Sequence, residues 1–62
     1  MGKAQYVIIN SEEKYFVKIL ENNKILFCNN KEDATKLSWW DANDLVAIVE
    51  LYDKHLCAIE EI

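Results

Sequence analysis

The apolar positions of this chain change rhythm once. Between Gln5 and Asn29 they come in short β-branched and aromatic runs separated by polar clusters, and from Ser38 to Ile62 they recur at three- and four-residue spacing. The first rhythm predicts strands over Gln5–Asn10, Lys14–Glu21 and Lys24–Asn29, after a frayed start at Met1–Ala4. The second predicts one long amphipathic helix with Leu45, Ile48, Val49, Tyr52, Leu56 and Ile59 on its apolar side. Asn43, Glu50, Lys54 and Glu61 fall opposite. Ser38, followed three residues later by Asp41, imitates a capping box, and Asp41 and Asp44 place negative charge where the helix dipole favours it.

Two alternatives remain open at the C-terminus. A continuous helix to Ile62 is favoured by the propensities of Ala58 and the Glu60-Glu61 pair. About 20 helical residues span roughly 30 Å, however, against 17–20 Å for a short strand, so the last turns would overhang the sheet. The alternative ends the helix near Asp53 or Lys54 and makes Leu56–Ile59 a closing strand. Either way the expected class is α+β: a three- to four-stranded antiparallel sheet, built on the hairpin Lys14–Asn29, packed by one long C-terminal helix. Residues 34–37 are a candidate fourth, edge strand. Residues 1–62 form a single domain.

Asn22-Asn23 suits a two-residue type I′ turn, because asparagine tolerates positive φ. The register that follows opposes Leu20 to Ile25, Ile19 to Leu26 and Lys18 to Phe27. One sheet face would then carry Tyr15, Val17, Ile19, Leu26 and Cys28 and pack on the helix. The other would carry Phe16, Lys18, Leu20, Ile25 and Phe27. A single helix covers one side only, so this second face is either an exposed apolar patch of the kind that marks an interaction site, or is covered by the N-terminal strand or the Trp39-Trp40 pair.

At 62 residues a domain buries only roughly 60% of the surface its unfolded chain exposes, and small domains compensate with disulfides, a metal or a partner subunit. Cys28 and Cys57 are the only cysteines, and neither has a second cysteine or a histidine at metal-ligand spacing. Two reduced, largely buried thiols in a cytoplasmic protein are expected, with no metal and no cofactor. That leaves a partner subunit, and a homodimer using Leu56, Ile59, Ile62, Phe16 and Phe27 is the expected oligomer. No apolar run approaches the roughly 20 residues that span a bilayer.

The formal net charge is −4, and all seven basic residues are lysine. Without arginine the usual bidentate reader of phosphates and guanines is missing, so direct nucleic-acid binding is disfavoured and a basic protein partner favoured. Catalysis finds no constellation. His55 stands alone, glycine-rich phosphate loops are absent, and Glu50, Asp53 and Glu60 line a helix edge that reads first as a solvated flank. Trp39-Trp40 is the most informative pair. Adjacent helical residues diverge by about 100°, so one small core cannot take both indoles. One is expected to staple the helix to the sheet, and the other either shields a loop or serves as a binding anchor.

Tyr15-Phe16-Val17-Lys18-Ile19-Leu20, Ile25-Leu26-Phe27 and Glu32-Asp33-Ala34-Thr35-Lys36-Leu37, leading into a C-terminal helix, give the chain a pattern that resembles the small accessory proteins encoded by phages of low-GC Gram-positive bacteria. The resemblance implies a β-hairpin-plus-helix fold and a protein that binds and disables a host or defence enzyme. It carries over no functional residue. The function expected from all of this is non-enzymatic: an acidic inhibitor or adaptor that meets a larger, basic-surfaced partner through Trp39, Trp40, Asp41, Asp44, Glu50 and Asp53. The alternative is a self-associating structural protein with no separate target.

Overall fold

A computed structural model describes residues 5–62; the frayed start expected at residues 1–4 lies outside the described residues. Three strands come first, β1 (Tyr6–Asn10), β2 (Tyr15–Ile19) and β3 (Ile25–Cys28), then a short 3-10 turn at Lys31–Asp33, the helix α1 (Trp39–Asp53) and a last strand β4 (Cys57–Glu61). They form an antiparallel sheet in the order β3-β2-β1-β4 with α1 across one face, an α+β fold.

The helix does not continue to Ile62. Lys54 turns left-handed at φ 66° and ψ 14°, its N–H still reaching the Glu50 carbonyl at 3.0 Å, and the chain then extends. Helix propensity in residues 57–61 is overridden by pairing, because β1 lies inside the sheet and its outer backbone groups need partners. β4 supplies them from Tyr6 opposite Glu61 to Asn10 opposite Cys57. The closing strand thus runs Cys57–Glu61, slightly later than the alternative reading placed it.

Both hairpins use a three-residue loop whose last residue is left-handed, Glu13 at φ 65° and Asn23 at φ 64°. Three-residue loops of this kind start as a type I turn and end in a left-handed residue. The two-residue turn at Asn22-Asn23 is therefore not formed, and Ile19, not Leu20, faces Ile25. A register shift between Phe16 and Lys18 then leaves Val17 without an opposed partner, while Phe16 faces Phe27. The bulge removes the expected two-sided apolar hairpin. Phe16, Ile19, Ile25 and Phe27 all join the core, while Lys18 and Leu26 stay exposed. Asn10, almost wholly buried, ties the first loop by accepting from the N–H groups of Glu12 at 2.9 Å and Lys14 at 3.0 Å.

Ile8, Phe16 and Val49 form the buried centre, with Leu37, Leu45, Val46 and Cys57 packed around it. Full burial of side chains of this size is worth about 1.5–3 kcal/mol each. The sheet's other face is covered neither by the N-terminal strand nor by the tryptophans. The connection after β3 crosses it, since Lys31 Nζ lies 3.3 Å from Glu60 Oε1 and donates to the Glu61 carbonyl at 3.1 Å, on the far edge. Val7, opposite Glu60 and therefore on that face, is fully buried. Residues 34–37 then enter the sheet between β1 and β2, not at an edge. Leu37 exchanges two 2.8 Å backbone bonds with Tyr6, and the Thr35 N–H donates to the Phe16 carbonyl at 3.2 Å. The Thr35 hydroxyl donates to the Val17 carbonyl, so the wedge takes up carbonyls on the bulged stretch of β2.

A domain of this length holds on the order of 3–9 kcal/mol of stability. Ile8→Ala should cost about 2–5 kcal/mol, a large share of that margin, read as a marked fall in the urea midpoint; an unchanged midpoint would contradict its place in the core. Lys54→Gly should raise stability by about 0.5–1 kcal/mol, because glycine meets no steric penalty at the left-handed cap. A neutral or negative change in the urea midpoint would contradict the cap geometry.

Candidate interaction surface

Helix α1 carries apolar residues on all sides, and this decides where a partner could sit. Its inner line is Ala42, Leu45, Val46 and Val49, of which Ala42 and Val49 are fully buried. The expected line through Ile48 and Tyr52 is rotated outward, and both of those side chains remain exposed. Periodicity alone could not choose between the two lines, since either satisfies i, i+3, i+4 spacing.

Ser38 fixes the start of the helix, its hydroxyl accepting from the Asp41 N–H at 3.1 Å as the capping pattern predicts. The two tryptophans then part. Trp39 turns back to the sheet, edge-on to Tyr6 with ring centroids 5.3 Å apart, though it keeps an exposed side. Trp40 points away and is 77% exposed. Leu51, three turns on along the same side, is 71% exposed, and exposed Asp44 and Ala47 lie between them. The sequence reading missed Leu51 and Ala47, which share the side of Trp40 at spacings of 11 and 7.

The six residues expected to meet a partner are not equivalent. Trp40, Asp41 and Asp44 are exposed together at the start of the helix, with Trp39 beside them. Glu50 and Asp53 are engaged within the domain. Glu50 Oε2 accepts from the Cys57 N–H at 2.8 Å and so caps the free edge of β4. Asp53 Oδ2 lies 2.9 Å from His55 Nδ1, and Glu12 Oε2 lies 3.4 Å from His55 Nε2. His55 therefore bridges the β1–β2 loop and the end of α1. The Asp53 hydrogen bond is the main cause that raises its pKa above 6.5, desolvation opposes it, and the Glu12 charge adds to the rise.

Of the residues expected at a dimer interface, Leu56 at 77% and Ile62 at 55% are exposed, on either side of β4. The other three are corrected. Phe16 and Phe27 belong to the core, and Ile59, opposite Ile8, turns toward the helix and is half-buried. Cys28 and Cys57 stand on opposite edges of the sheet, three strand spacings or roughly 14 Å apart, beyond the roughly 7 Å that a disulfide bridges. Burial, then the charges of Glu50 and Asp53, push the Cys57 thiol up to about 11. Among the described residues no group of three or more His, Cys, Asp or Glu is placed to hold a metal ion, and no helix is long and apolar enough to cross a membrane.

Two outcomes follow from these geometries. Native Cys57 should alkylate slowly at mildly alkaline pH and at the ordinary thiol rate once unfolded, read by mass spectrometry; equal rates would contradict its burial. Protonated His55 gains its partners only in the folded state, so its contribution is complete below pH 6.5 and is lost as pH rises through the higher folded pKa. The melting temperature should fall across that window, and His55→Gln should abolish the fall.

Comparison with family models, with curated proteins and with solved structures gives no match to this chain.

Proposed function

We propose that the protein is a non-enzymatic binding domain, an inhibitor or adaptor that docks on a larger protein through the outer face of α1. One observation carries this reading: Trp40 and Leu51, among the most exposed apolar side chains of the described residues, lie on the same side of a helix whose other side is already packed. Large contiguous apolar surface on a small domain marks an interaction site, and tryptophan is enriched among the residues that dominate binding energy. Asp41 and Asp44 give this surface a negative rim, and α1 holds no lysine from Trp39 to Asp53, which favours a basic target. The resemblance of the sequence pattern to phage accessory proteins supports a cytoplasmic host or defence enzyme as that target. The lone His55, held between two carboxylates, supports binding without catalysis.

A second reading, self-association without a separate target, is favoured by Leu56 and Ile62. It predicts a homodimer that Leu56→Glu dissociates, whereas a particle of about the chain's own 7.3 kDa in sedimentation at high concentration would remove it.

The test of the first reading is kinetic binding to a target recovered by affinity capture, with variants first shown to be folded. Trp40→Ala should cost on the order of 2 kcal/mol, roughly a 30-fold loss of affinity seen mainly as faster release. Added salt should instead slow association by screening Asp41 and Asp44. Wild-type binding by folded Trp40→Ala and Leu51→Ala would overturn the proposal.

A further inference from the structure

The outer stripe of α1 has a spacing that says more than that it is sticky. Trp40, Asp44, Ala47 and Leu51 follow one another at four, three and four residues, the alternation of d and a positions in a heptad seam. All four are exposed, and they cover about 16 Å of helix. Asp41 and Ile48 then fall at e positions, with Asn43 and Glu50 at g. The stripe is under two heptads long, too short for a free coiled coil but suited to a docking face held by a folded scaffold.

We infer that this seam receives one amphipathic helix of another protein, and that the helix places a lysine or arginine opposite Asp44. The inference rests on the protein-binding reading and specifies its partner. Trp40 and Leu51 are end anchors, and Ala47 is small enough to let the partner's backbone come close. Asp44 sets the register, as single polar residues at a positions do. An apolar partner would leave its carboxylate desolvated and unpaired, whereas a cation opposite it restores what desolvation removes.

The same residue argues against a second copy of this chain on the seam. A parallel pair would set Asp44 against Asp44, and an antiparallel pair would put the two on either side of its centre. Neither arrangement meets a compensating base, because residues 39–53 contain none. Asp44 thus disfavours self-pairing and selects a basic helix with one group.

The probes are two synthetic amphipathic peptides, roughly three heptads long with leucine at a and d positions, one carrying lysines at the centre and flanks and the other glutamates. The lysine peptide should bind, shift the Trp40 emission to the blue and move the amide resonances of Trp40, Asp44, Ala47 and Leu51. Asp44→Lys should weaken it about tenfold or more and let the glutamate peptide bind in its place. Glu21→Lys, in the β2–β3 loop, makes the same change in net charge and should leave the affinity nearly unaltered. Absence of binding, equal effects of Asp44→Lys and Glu21→Lys, or resonance shifts confined elsewhere would overturn the inference. If Trp40→Ala abolishes capture of the larger target but Asp44→Lys does not, the helical seam fails and the binding reading stands. If neither Trp40→Ala nor Leu51→Ala affects capture, both fall.

Discussion

The pairing of β4 with β1 is the constraint on which the rest of the molecule depends. β1 lies between two neighbours, and Val7 and Ile8 are fully buried on its opposite faces, so its backbone has no recourse to water on either side. To bring residues 57–61 alongside it, the chain must leave the helix at Asp53, pass through a left-handed Lys54 and reverse. That return fixes the position of α1 over the sheet. It also determines that Ala42, Leu45, Val46 and Val49 face inward and that Trp40, Ala47 and Leu51 face out.

The edge thus created is partly closed from within. In β4 the N–H of Cys57 is taken by the Glu50 carboxylate and the carbonyl of Glu61 by Lys31. Charged groups that occupy an edge discourage strand addition. The carboxylates of α1 accordingly divide their work. Glu50 and Asp53 hold the end of the helix and the start of β4, whereas the Asp41 and Asp44 carboxylates make no such contact among the described residues and flank the exposed indole. Exposed apolar side chains and negative charge thus lie together on the outer face of α1, at Trp40, Asp41 and Asp44.

How far the sequence was legible follows from where its signals were local. The strands, the Ser38 cap and the α+β class rest on local patterns, and they are present. The register of the β2–β3 hairpin was misread because Asn22-Asn23 satisfies two loop geometries. The choice between them lies in the bulge at Val17 and in the Thr35 contacts with β2, which are long-range. The helix end stayed open between two readings for a related reason: Ala58, Glu60 and Glu61 prefer helix, and only the unpaired side of β1 decides for the closing strand. Trp40, Asp41 and Asp44 could be singled out because tryptophan pairs and helix-start acids are visible as such. Leu51 was hidden by a helix that is apolar all round, where no spacing rule tells the inner line from the outer.

That orientation of α1 is the central claim, and solvent relaxation measures it most directly. With methyl groups labelled and a soluble gadolinium chelate added, relaxation should rise steeply at Ala47 and Leu51 and stay low at Ala42, Val46 and Val49. Protection of Ala47 and Leu51 together with strong enhancement at Val46 or Val49 would mean that the helix packs by its other side, and the account would be wrong.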